Sequence, residues 1–535
     1  MQIRGEGNVL PTPVIRYKLD FLLQRYVDRN YIIEGFTNGF SVNFEGYQSE
    51  VEGVNSLTVK CNPGPALQKI NSEIQLGRMK GPFITKPFEN FKVIPLALRE
   101  KSTPGKFRLL FNLSYPYDWN AVNLGIDKRF KTVRYASILD ALYILKEMPN
   151  AYTAKADIKD AFRIIPLRPE EYHLMGCQLQ GLYYFDVCLP MGCAASCQIF
   201  ERFSDSIVWM LKSHFGITSV VKVLDDFLFI YRDFSSCKAA LEAFAGLCEM
   251  IGVPLAPEKT VGPAKILTFL GIELDSEKRI LRLPADKLLR YKMKLQDMLA
   301  KDFVPLTDLK SLIGNLQFCT SVVKGGRGFM RRLHNATLGG LQQQGGVFVG
   351  GEARKDLKVW WSFLCKYNGV HFVDRLGVVG HHIEIVTDSC KAGFGGFMGE
   401  IFLLGSFPEE CAQYHITLLE LFPIFLFVEL MGKSFTGQSV LFRCDNAGAV
   451  DILNNQTSRD NDIMILVRSI IAKAMVYNFM FSAVHIPGKV NYIADNLSRG
   501  QVFSGDLERW GLRYRVLVPR ELALPLVLAL SEPSL

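Results

Sequence analysis

Acidic residues at the ends of short apolar segments are the clearest candidates for chemistry in this sequence. KADIKDAFRIIPL at 155–167 places Asp157 at the end of a predicted strand, with Asp160 close behind it. VLDDFLFI at 223–230 predicts a hairpin with Asp225 and Asp226 at its tip, between alternating apolar residues that pack into a sheet. Two strands would then present three carboxylates to one spot.

Three converging carboxylates suit nucleotidyl transfer by two cations, which activate a 3′ hydroxyl and stabilise the leaving pyrophosphate. Hard oxygen ligands select Mg²⁺ or Mn²⁺, two per active site. Taken alone, the Asp225-Asp226 pair is better explained as a solvated turn, because Asp is common in turns. The combination with Asp157 favours the catalytic interpretation.

A second set of acids follows in the C-terminal part of the sequence. HHIEIVTDSCKAGFGGFM predicts a strand that ends at Asp388 and then a second strand, and TLLELFPIFLFVEL predicts a helix with Glu420 in its first turn, where Pro423 is tolerated. SVLFRCDNAG predicts a strand that ends at Asp445, and HIPGKVNYIADNLSRG places Asp495 at a predicted helix start. Asp495 alone is better explained as an N-cap. Four acids on four successive elements favour a joint site.

The elements that must position these acids fall into two alternating regions. Phe91 to Asp275 alternates β-like segments with helical stretches such as Ser137–Lys146 and Cys197–Leu211, which predicts an α+β domain. Charged amphipathic helices follow at 276–335, then a Gly- and Gln-rich linker at 338–351. The second region begins near His381 in the order strand, strand, helix, strand, helix. Residues 1–90, with a short helical pattern at Tyr17–Tyr26, are expected to pack against something else.

Composition sets the class of protein. A chain of 535 residues is longer than one hydrophobic core supports, so two or more packed domains are expected. Its content of 49% hydrophobic and 21% charged residues argues against a disordered scaffold or a coiled coil. A net charge of +8 suits a polyanionic partner. Twelve scattered cysteines and the lack of a signal sequence predict an intracellular protein without a zinc site. The apolar segment Ile416 to Met431 is too short for a membrane span and predicts a buried helix.

The motifs together resemble a known family. FRLLFNLSYP at 107–116 is similar to the fingers motif of the DIRS-type (tyrosine-recombinase) retrotransposons. ADIKDAFRIIPL, LPMGCAASCQIF, VLDDFLFI, GVPLAPEKT and LTFLGIELD resemble, in order, the five palm motifs of reverse transcriptases. The acids of the second set, in the order Asp, Glu, Asp, Asp, resemble ribonuclease H. The sequence is therefore most similar to a retroelement reverse transcriptase fused to ribonuclease H.

This resemblance implies a fold and its domains. We expect an α+β right-hand polymerase with fingers, palm and thumb, followed by an α/β ribonuclease H-like domain. The expected boundaries are an N-terminal leader at 1–90, fingers and palm at 91–275, a helical thumb at 276–337, a connection at 338–380, the ribonuclease H domain at 381–500 and a C-terminal tail at 501–535.

The resemblance also implies roles for single residues of the polymerase. Asp157, Asp225 and Asp226 would hold the catalytic cations. Phe162 matches the aromatic position that crowds a ribose 2′-hydroxyl and favours deoxynucleotides. The other nucleotide-binding residues implied by the motifs are Lys101, Lys106, Arg108, Asp160, Met191, Gly192 and Lys259. Many relatives carry Gln in place of Met191, and Met lacks the amide's hydrogen bonds. Lys259 is equally explained as a surface lysine after a turn.

The ribonuclease H domain would hold two further cations with Asp388, Glu420, Asp445 and Asp495. Many ribonucleases H carry a mobile His in the loop before the last Asp, and PGKVNYIA contains none. His485 lies upstream and is interpreted as structural. A basic segment at the end of the thumb would contact template and primer phosphates, or would form a solvated charged face, through Lys324, Arg327, Arg331 and Arg332.

The function implied is synthesis of DNA on an RNA template, with hydrolysis of RNA in the RNA–DNA hybrid. The partners implied are the RNA template, the DNA primer, deoxynucleoside triphosphates and a recombinase encoded by the same element. The alternative from another class is a decayed or domesticated protein that only binds nucleic acid, and the presence of all seven acids disfavours it. A DNA-dependent polymerase or a repair nuclease is a further alternative, disfavoured by FRLLFNLSYP.

Overall fold

A computed structural model describes residues 10–100, 105–323, 325–339, 346–366, 368–372 and 383–529. Lys101, Lys324 and parts of the expected connection at 338–380 lie outside the described residues. The chain divides into two compact units, Met1–Leu270 and Gly271–Leu535, which are described separately below.

The first unit mixes helices and strands. Its helices are α1 Arg16–Leu22, α2 Arg29–Asn38, α3 Leu57–Lys60, α4 Pro63–Gln75, α5 Ile138–Glu147, α6 Ser196–Phe215 and α7 Phe234–Ile251. Its strands are β1 Val51–Glu52, β2 Met79–Phe83, β3 Lys92–Val93, β4 Leu96–Glu100, β5 Phe107–Phe111, β6 Tyr152–Asp157, β7 Gly176–Leu179, β8 Leu182–Asp186, β9 Val220–Val223, β10 Asp226–Tyr231, β11 Val261–Ala264 and β12 Ile266–Phe269.

An antiparallel sheet in the order β11-β6-β10-β9 carries the first set of acids. Residues 227–230 of β10 are all buried, and Ala154, Ala156, Phe227 and Phe229 pack into the core beneath α7. A second sheet has the order β1-β3-β7-β8-β2, and β4 pairs with β5 as a separate hairpin. The hairpin of β4 and β5 lies within the residues predicted to form the fingers and palm, whereas the second sheet also contains β1 and β2 from the expected N-terminal leader at 1–90.

The N-terminal segment is part of the first unit's hydrophobic core. The Thr12 hydroxyl donates to the Ile164 carbonyl at 2.6 Å, and the Ile15 amide donates to the Ile251 carbonyl at 2.8 Å. The helical pattern at Tyr17–Tyr26 forms α1, which is shorter than predicted. The sequence interpretation missed α2, which includes most of the GFTNGF segment.

The second unit begins with two short strands, which are followed by helices and then by a large sheet. Its helices are α8 Ala285–Leu299, α9 Leu306–Cys319, α10 Arg331–Gly339, α11 Gly351–Lys366, α12 Ile416–Met431, α13 Ala447–Asn455, α14 Asn461–Val476, α15 Tyr492–Ser498, α16 Asp506–Arg509 and α17 Leu524–Ala529. Its strands are β13 Ile272–Asp275, β14 Ile280–Arg282, β15 Phe303–Pro305, β16 Gly346–Phe348, β17 Val370–His371, β18 Ile383–Ser389, β19 Gly393–Met398, β20 Ile401–Ser406, β21 Ser439–Cys444, β22 Met480–His485 and β23 Tyr514–Arg515.

Six strands of the second unit form one sheet in the order β22-β21-β18-β19-β20-β23. The strands β18, β21 and β22 run parallel, whereas β18, β19 and β20 form an antiparallel meander. The predicted order of strand, strand, helix, strand, helix was incomplete, because β20 and the long helix α14 were not recognised. Parallel strands end at the same edge, so Asp388 near the end of β18 and Asp445 directly after β21 come together.

Helix α12 is buried on all sides. Every residue from 417 to 428 is buried, because α12 lies between the sheet and α14. The predicted buried helix is therefore confirmed. Its observed bounds match the predicted segment, but the expectation that the first turn accommodates Pro423 was wrong, because Glu420 lies beyond the first turn and Pro423 lies in the helix interior. Among the described residues, no helix combines the length and apolar character that crossing a bilayer requires.

Two candidate active sites

The register between β6 and β10 brings the first set of acids together. Asp226 is paired directly with Asp157 across the two strands, and it also pairs with Val223 of β9. Leu224 and Asp225 form the two-residue turn between β9 and β10, with Leu224 in the left-handed region at φ 53°. The three carboxylates predicted from the sequence therefore lie at one end of this sheet.

A buried acid that the sequence interpretation missed supports the turn. Glu201 on α6 accepts a hydrogen bond from the Leu224 amide at 3.0 Å through Oε2, and its Oε1 lies 2.7 Å from Lys222 Nζ. Lys222 Nζ also lies 2.8 Å from Asp205. The contact is long-range, so the only signal in the sequence was an acid within the apolar face of α6.

The environment of these acids disfavours their ionised forms. Burial, followed by the negative charge of Asp157, raises the pKa of Asp225 to about 6, and the same two causes raise the pKa of Asp226. Lys259 Nζ lies 2.8 Å and 2.9 Å from the two carboxylate oxygens of Asp157. Partly desolvated oxygen donors that repel one another fit a divalent cation, which would offset their charge.

The raised pKa of Asp225 predicts a pH dependence of stability. The folded-state pKa lies above that of an unfolded Asp, so the folded chain binds more protons and the free energy of unfolding rises as the pH falls through 6. We expect Asp225→Asn to stabilise the cation-free chain by about 2 kcal/mol at pH 7 and by almost nothing at pH 4. Urea unfolding in a chelator at the two pH values measures this, and an equal difference at both would contradict it.

A cavity of about 490 Å³ opens above Asp157 and Asp225 in the first unit, and Asp226 is not part of its lining. It brings together most of the predicted polymerase residues, namely Arg108, Asp157, Asp160, Phe162, Met191, Asp225 and Lys259. Lys106 lies outside its lining and is exposed just before β5. The sequence interpretation missed other charged residues of the lining, namely Lys69, Glu73, Lys159, Arg163, Asp186 and Glu258.

The loop at 190–192 is joined to β5 of the fingers hairpin. The Met191 carbonyl accepts a hydrogen bond from the Phe111 amide at 3.2 Å, and the Asn123 side chain donates to the Gly192 carbonyl at 2.9 Å. Gly192 has φ +116°, and a Cβ atom there would lie 2.1 Å from the Phe111 carbonyl oxygen. Only glycine fits, and this close approach places Met191 against the cavity.

The segment after β6 orients two predicted nucleotide-binding residues. Asp160 has φ 55°, and Arg78 Nη1 donates to its Oδ2 at 3.0 Å. Burial acts to raise the pKa of Asp160, but the hydrogen bond from Arg78 and its positive charge outweigh burial and hold that pKa below its usual value. Phe162 packs edge-on against Phe200, with ring centroids 5.8 Å apart, so its orientation is set by α6.

A buried ion cluster forms part of the cavity wall. Arg163 donates to both oxygens of Asp186, at 2.7 Å and 2.6 Å, and to Glu73 at 3.1 Å. Asp186 is 1% exposed, and Lys69 pairs with Glu73 from the cavity side at 2.7 Å. This paired geometry joins α4, β8 and the segment after β6 into one support for the site.

The second set of acids lies at the edge of the six-stranded sheet. Asp388 at the end of β18 is buried and accepts hydrogen bonds from the Asn491 side-chain amide at 3.2 Å and the Ser498 hydroxyl at 2.6 Å. Asn491 and Ser498 flank Asp495 on α15. The helix that carries the fourth acid is therefore attached at both ends to the first acid.

Glu420 and Asp445 share this site with a thiol. Single ligand atoms of Glu420, Cys444 and Asp445 all lie within 4.8 Å of one another. Burial, followed by the charges of Asp388 and Asp445, raises the pKa of Glu420 to about 9, and burial raises the pKa of Asp388 to about 6. Burial raises the pKa of Asp445 as well, and the Asp495 charge contributes to this shift. As at the first site, the donor set fits a divalent cation.

Asp495, His485 and Arg332 have partners within the fold. Arg499 Nε donates to Asp495 at 2.7 Å, and His485 Nε2 lies 3.1 Å from the Asp445 carbonyl oxygen, consistent with a structural role for this His. Arg332 pairs with Glu352 at 2.5 Å and with buried Asp356 at 3.4 Å. Arg332 therefore forms ion pairs within the second unit, whereas Arg327 and Arg331 are exposed.

These features agree with a comparison to known families. Residues 101–274 match the family model of the reverse transcriptase (RNA-dependent DNA polymerase) domain. The matched residues span the fingers hairpin strand β5, all three palm carboxylates and the part of the cavity lining that follows residue 101. No curated protein sequence matches the chain.

Solved structures show which fold the chain adopts. The foamy viral protease-reverse transcriptase dRH, in complex with double-stranded DNA, matches at TM-score 0.50 and 13% identity, over 90% of this chain and 84% of that chain. The foamy viral protease-reverse transcriptase in complex with an RNA/DNA hybrid matches at TM-score 0.51 and 13% identity, over 90% of this chain and 64% of that chain. The predicted right-hand polymerase fold is therefore confirmed, and the C-terminal sheet is consistent with a ribonuclease H-like domain.

Proposed function

We propose that this protein is an RNA-directed DNA polymerase that also hydrolyses the RNA of the resulting hybrid. The observation that carries the proposal is the pairing of Asp157 with Asp226, beside Asp225, at a 490 Å³ cavity within the reverse transcriptase domain. The resemblance of the motifs to DIRS-type retrotransposons suggests a retroelement as the source. A recombinase of the same element and an intracellular location belong to this proposal.

The palm carboxylates would hold two Mg²⁺ or Mn²⁺ ions. When bound, these ions would activate the primer 3′ hydroxyl and neutralise charge on the leaving pyrophosphate. Asp157, Asp225 and Asp226 supply oxygen ligands that are already desolvated and brought close by the strand register. Glu201 keeps the turn at Leu224 in place, so the carboxylate of Asp225 faces the cavity.

The other cavity residues would bind and select the nucleotide. Arg108 offers fixed positive charge to triphosphate oxygens from β5, and Lys259 offers a second positive charge beside Asp157. Phe162, held by Phe200, would crowd a 2′-hydroxyl and favour deoxynucleotides. Met191 would contribute packing alone, because its side chain cannot donate a hydrogen bond.

The second site would cut RNA in the RNA–DNA hybrid. Asp388, Glu420, Asp445 and Asp495 would hold the two cations that assist phosphodiester hydrolysis when bound. Asn491 and Ser498 orient the Asp388 carboxylate by hydrogen bonds. Arg327 and Arg331 would contact duplex phosphates without reading sequence.

The experiment that tests this proposal uses the full chain, a DNA primer on an RNA template, deoxynucleotides and Mg²⁺. We expect primer extension and template shortening in one reaction, with both lost when a chelator is added. A DNA template of the same sequence is the matched control for template preference. If the chain extends no primer on either template yet still binds the duplex, the nucleic-acid-binding alternative is the better one.

A further inference from the structure

Proline in the middle of α12 leaves one backbone carbonyl without its helical partner. Pro423 has no N–H group, so it cannot donate to the carbonyl of Leu419 four residues earlier. Leu419 is fully buried, and a buried carbonyl without a hydrogen bond is costly. A donor from outside the helix is needed.

Ser389 supplies that donor. Its hydroxyl donates to the Leu419 carbonyl at 2.8 Å, and Ser389 is 6% exposed. Ser389 directly follows Asp388 at the end of β18, and Leu419 directly precedes Glu420. This hydrogen bond therefore connects the residue after Asp388 with the residue before Glu420, and these are the two most buried acids of the second site.

We propose that Ser389 is a positioning residue that fixes Glu420 beside Asp388, and that Pro423 keeps the Leu419 carbonyl available to it. The inference rests on the proposed ribonuclease H function of this site. To ligate a cation together, the two acids must both be ionised, and two negative charges in one buried pocket of the second unit repel each other. The strand and the helix therefore need an attachment close to them.

A second contact restrains Glu420 from another strand. The Cys444 thiol donates to Glu420 Oε2 at 3.7 Å, and the Asn446 amide donates to the Cys444 sulfur at 3.3 Å. This contact orients the carboxylate itself, whereas Ser389 restrains the backbone of the helix that carries it. Ser389 therefore acts on the spacing between β18 and α12.

Replacing Pro423 tests whether Ser389 positions Glu420 or only donates a hydrogen bond to the buried Leu419 carbonyl. In Pro423→Ala, the new N–H can donate to Leu419 as in any helix. Ser389→Ala should therefore lower the thermal midpoint, and Ser389→Ala with Pro423→Ala should recover it. The variants are made in the full chain carrying Asp157→Asn, Asp225→Asn and Asp226→Asn, so that the palm acids do not bind the probe ion. The readouts are Mn²⁺ affinity by calorimetry and cleavage of an RNA–DNA hybrid.

We expect Ser389→Ala to weaken Mn²⁺ binding and to slow cleavage about tenfold each, as for other groups that orient metal ligands. The variant with both Ser389→Ala and Pro423→Ala should regain the thermal midpoint but keep the weaker Mn²⁺ binding and the slower cleavage. Ser389→Thr should behave as the parent chain, which carries only the three palm substitutions. The proposal is overturned if the double variant also regains affinity and cleavage, or if Ser389→Ala changes neither.

The parent chain and its Asp388→Asn variant distinguish failure of the inference from failure of the function. If the parent binds Mn²⁺ through Asp388 but cuts no hybrid, the ribonuclease H function fails, and the positioning role is decided by Mn²⁺ affinity alone. If Asp388→Asn leaves Mn²⁺ affinity unchanged, the acids form no cation site and both proposals fail.

Discussion

Asp225→Asn combined with Asp226→Asn is expected to reduce primer extension on RNA at least about a thousandfold while hybrid cleavage continues. Bound cations contribute several kcal/mol of transition-state stabilisation, and each 1.36 kcal/mol is tenfold in rate. Asn keeps the size of Asp but removes the charge that holds the cations. The Leu224 amide still donates to Glu201 in this variant, so the turn should persist. Extension and cleavage are measured in the same reaction.

The reciprocal control for this separation is Asp388→Asn, at the second set of acids. Cleavage should be lost in that variant and primer extension should continue at the wild-type rate. Loss of both activities in either variant would contradict two independent sites.

Arg163→Met is expected to destabilise the chain by about 3–5 kcal/mol. The substitution removes the cation that contacts both oxygens of Asp186, which is 1% exposed, and a buried charge left without its partner is strongly unfavourable. Glu73 would lose its contact with Arg163 as well, although it keeps Lys69. Chemical denaturation of the wild type and the variant measures the difference.

Arg163→Met with Asp186→Leu is the matched control for the buried ion pair. It removes both charges and fills the space with apolar groups, which often restores the stability that one missing partner takes away. We expect the double variant to recover most of the loss. If it is as unstable as Arg163→Met alone, packing of the arginine stem rather than the charge of Asp186 is responsible.

The local patterns of the sequence were enough to predict where most of the acids lie. Asp157 could be predicted because it ends a β-like segment. Asp225 and Asp226 could be predicted because they stand between apolar residues in VLDDFLFI, which is a local signal for a hairpin. Asp388 and Asp445 could be predicted because each follows an apolar strand. The fold class was predicted from the resemblance of the motifs to reverse transcriptases, and the right-hand polymerase fold confirms that prediction.

Long-range contacts could not be predicted in this way. Glu201 is far along the chain from Leu224, and the partners of Arg163 come from α4 and β8, so no spacing in the sequence joins them. The position of Pro423 within α12 was misjudged because a proline usually lies in a first turn, and the Ser389 contact explains why an interior proline is tolerated there. Arg332 was predicted to contact nucleic-acid phosphates or to form a solvated charged face, and no spacing in the sequence joins it to Asp356.

The uniformly apolar surface of α12 also limits how the chain can be shortened. The elements that bury α12 lie on both sides of it in the sequence: strands β18 and β19 precede it, and α14, which ends at Val476, follows it. A nascent or truncated chain that stops before α14 exposes a continuous apolar helix, which favours aggregation. A truncated form that retains only the polymerase should therefore end ahead of Ile416, and one that retains the nuclease should extend past Val476.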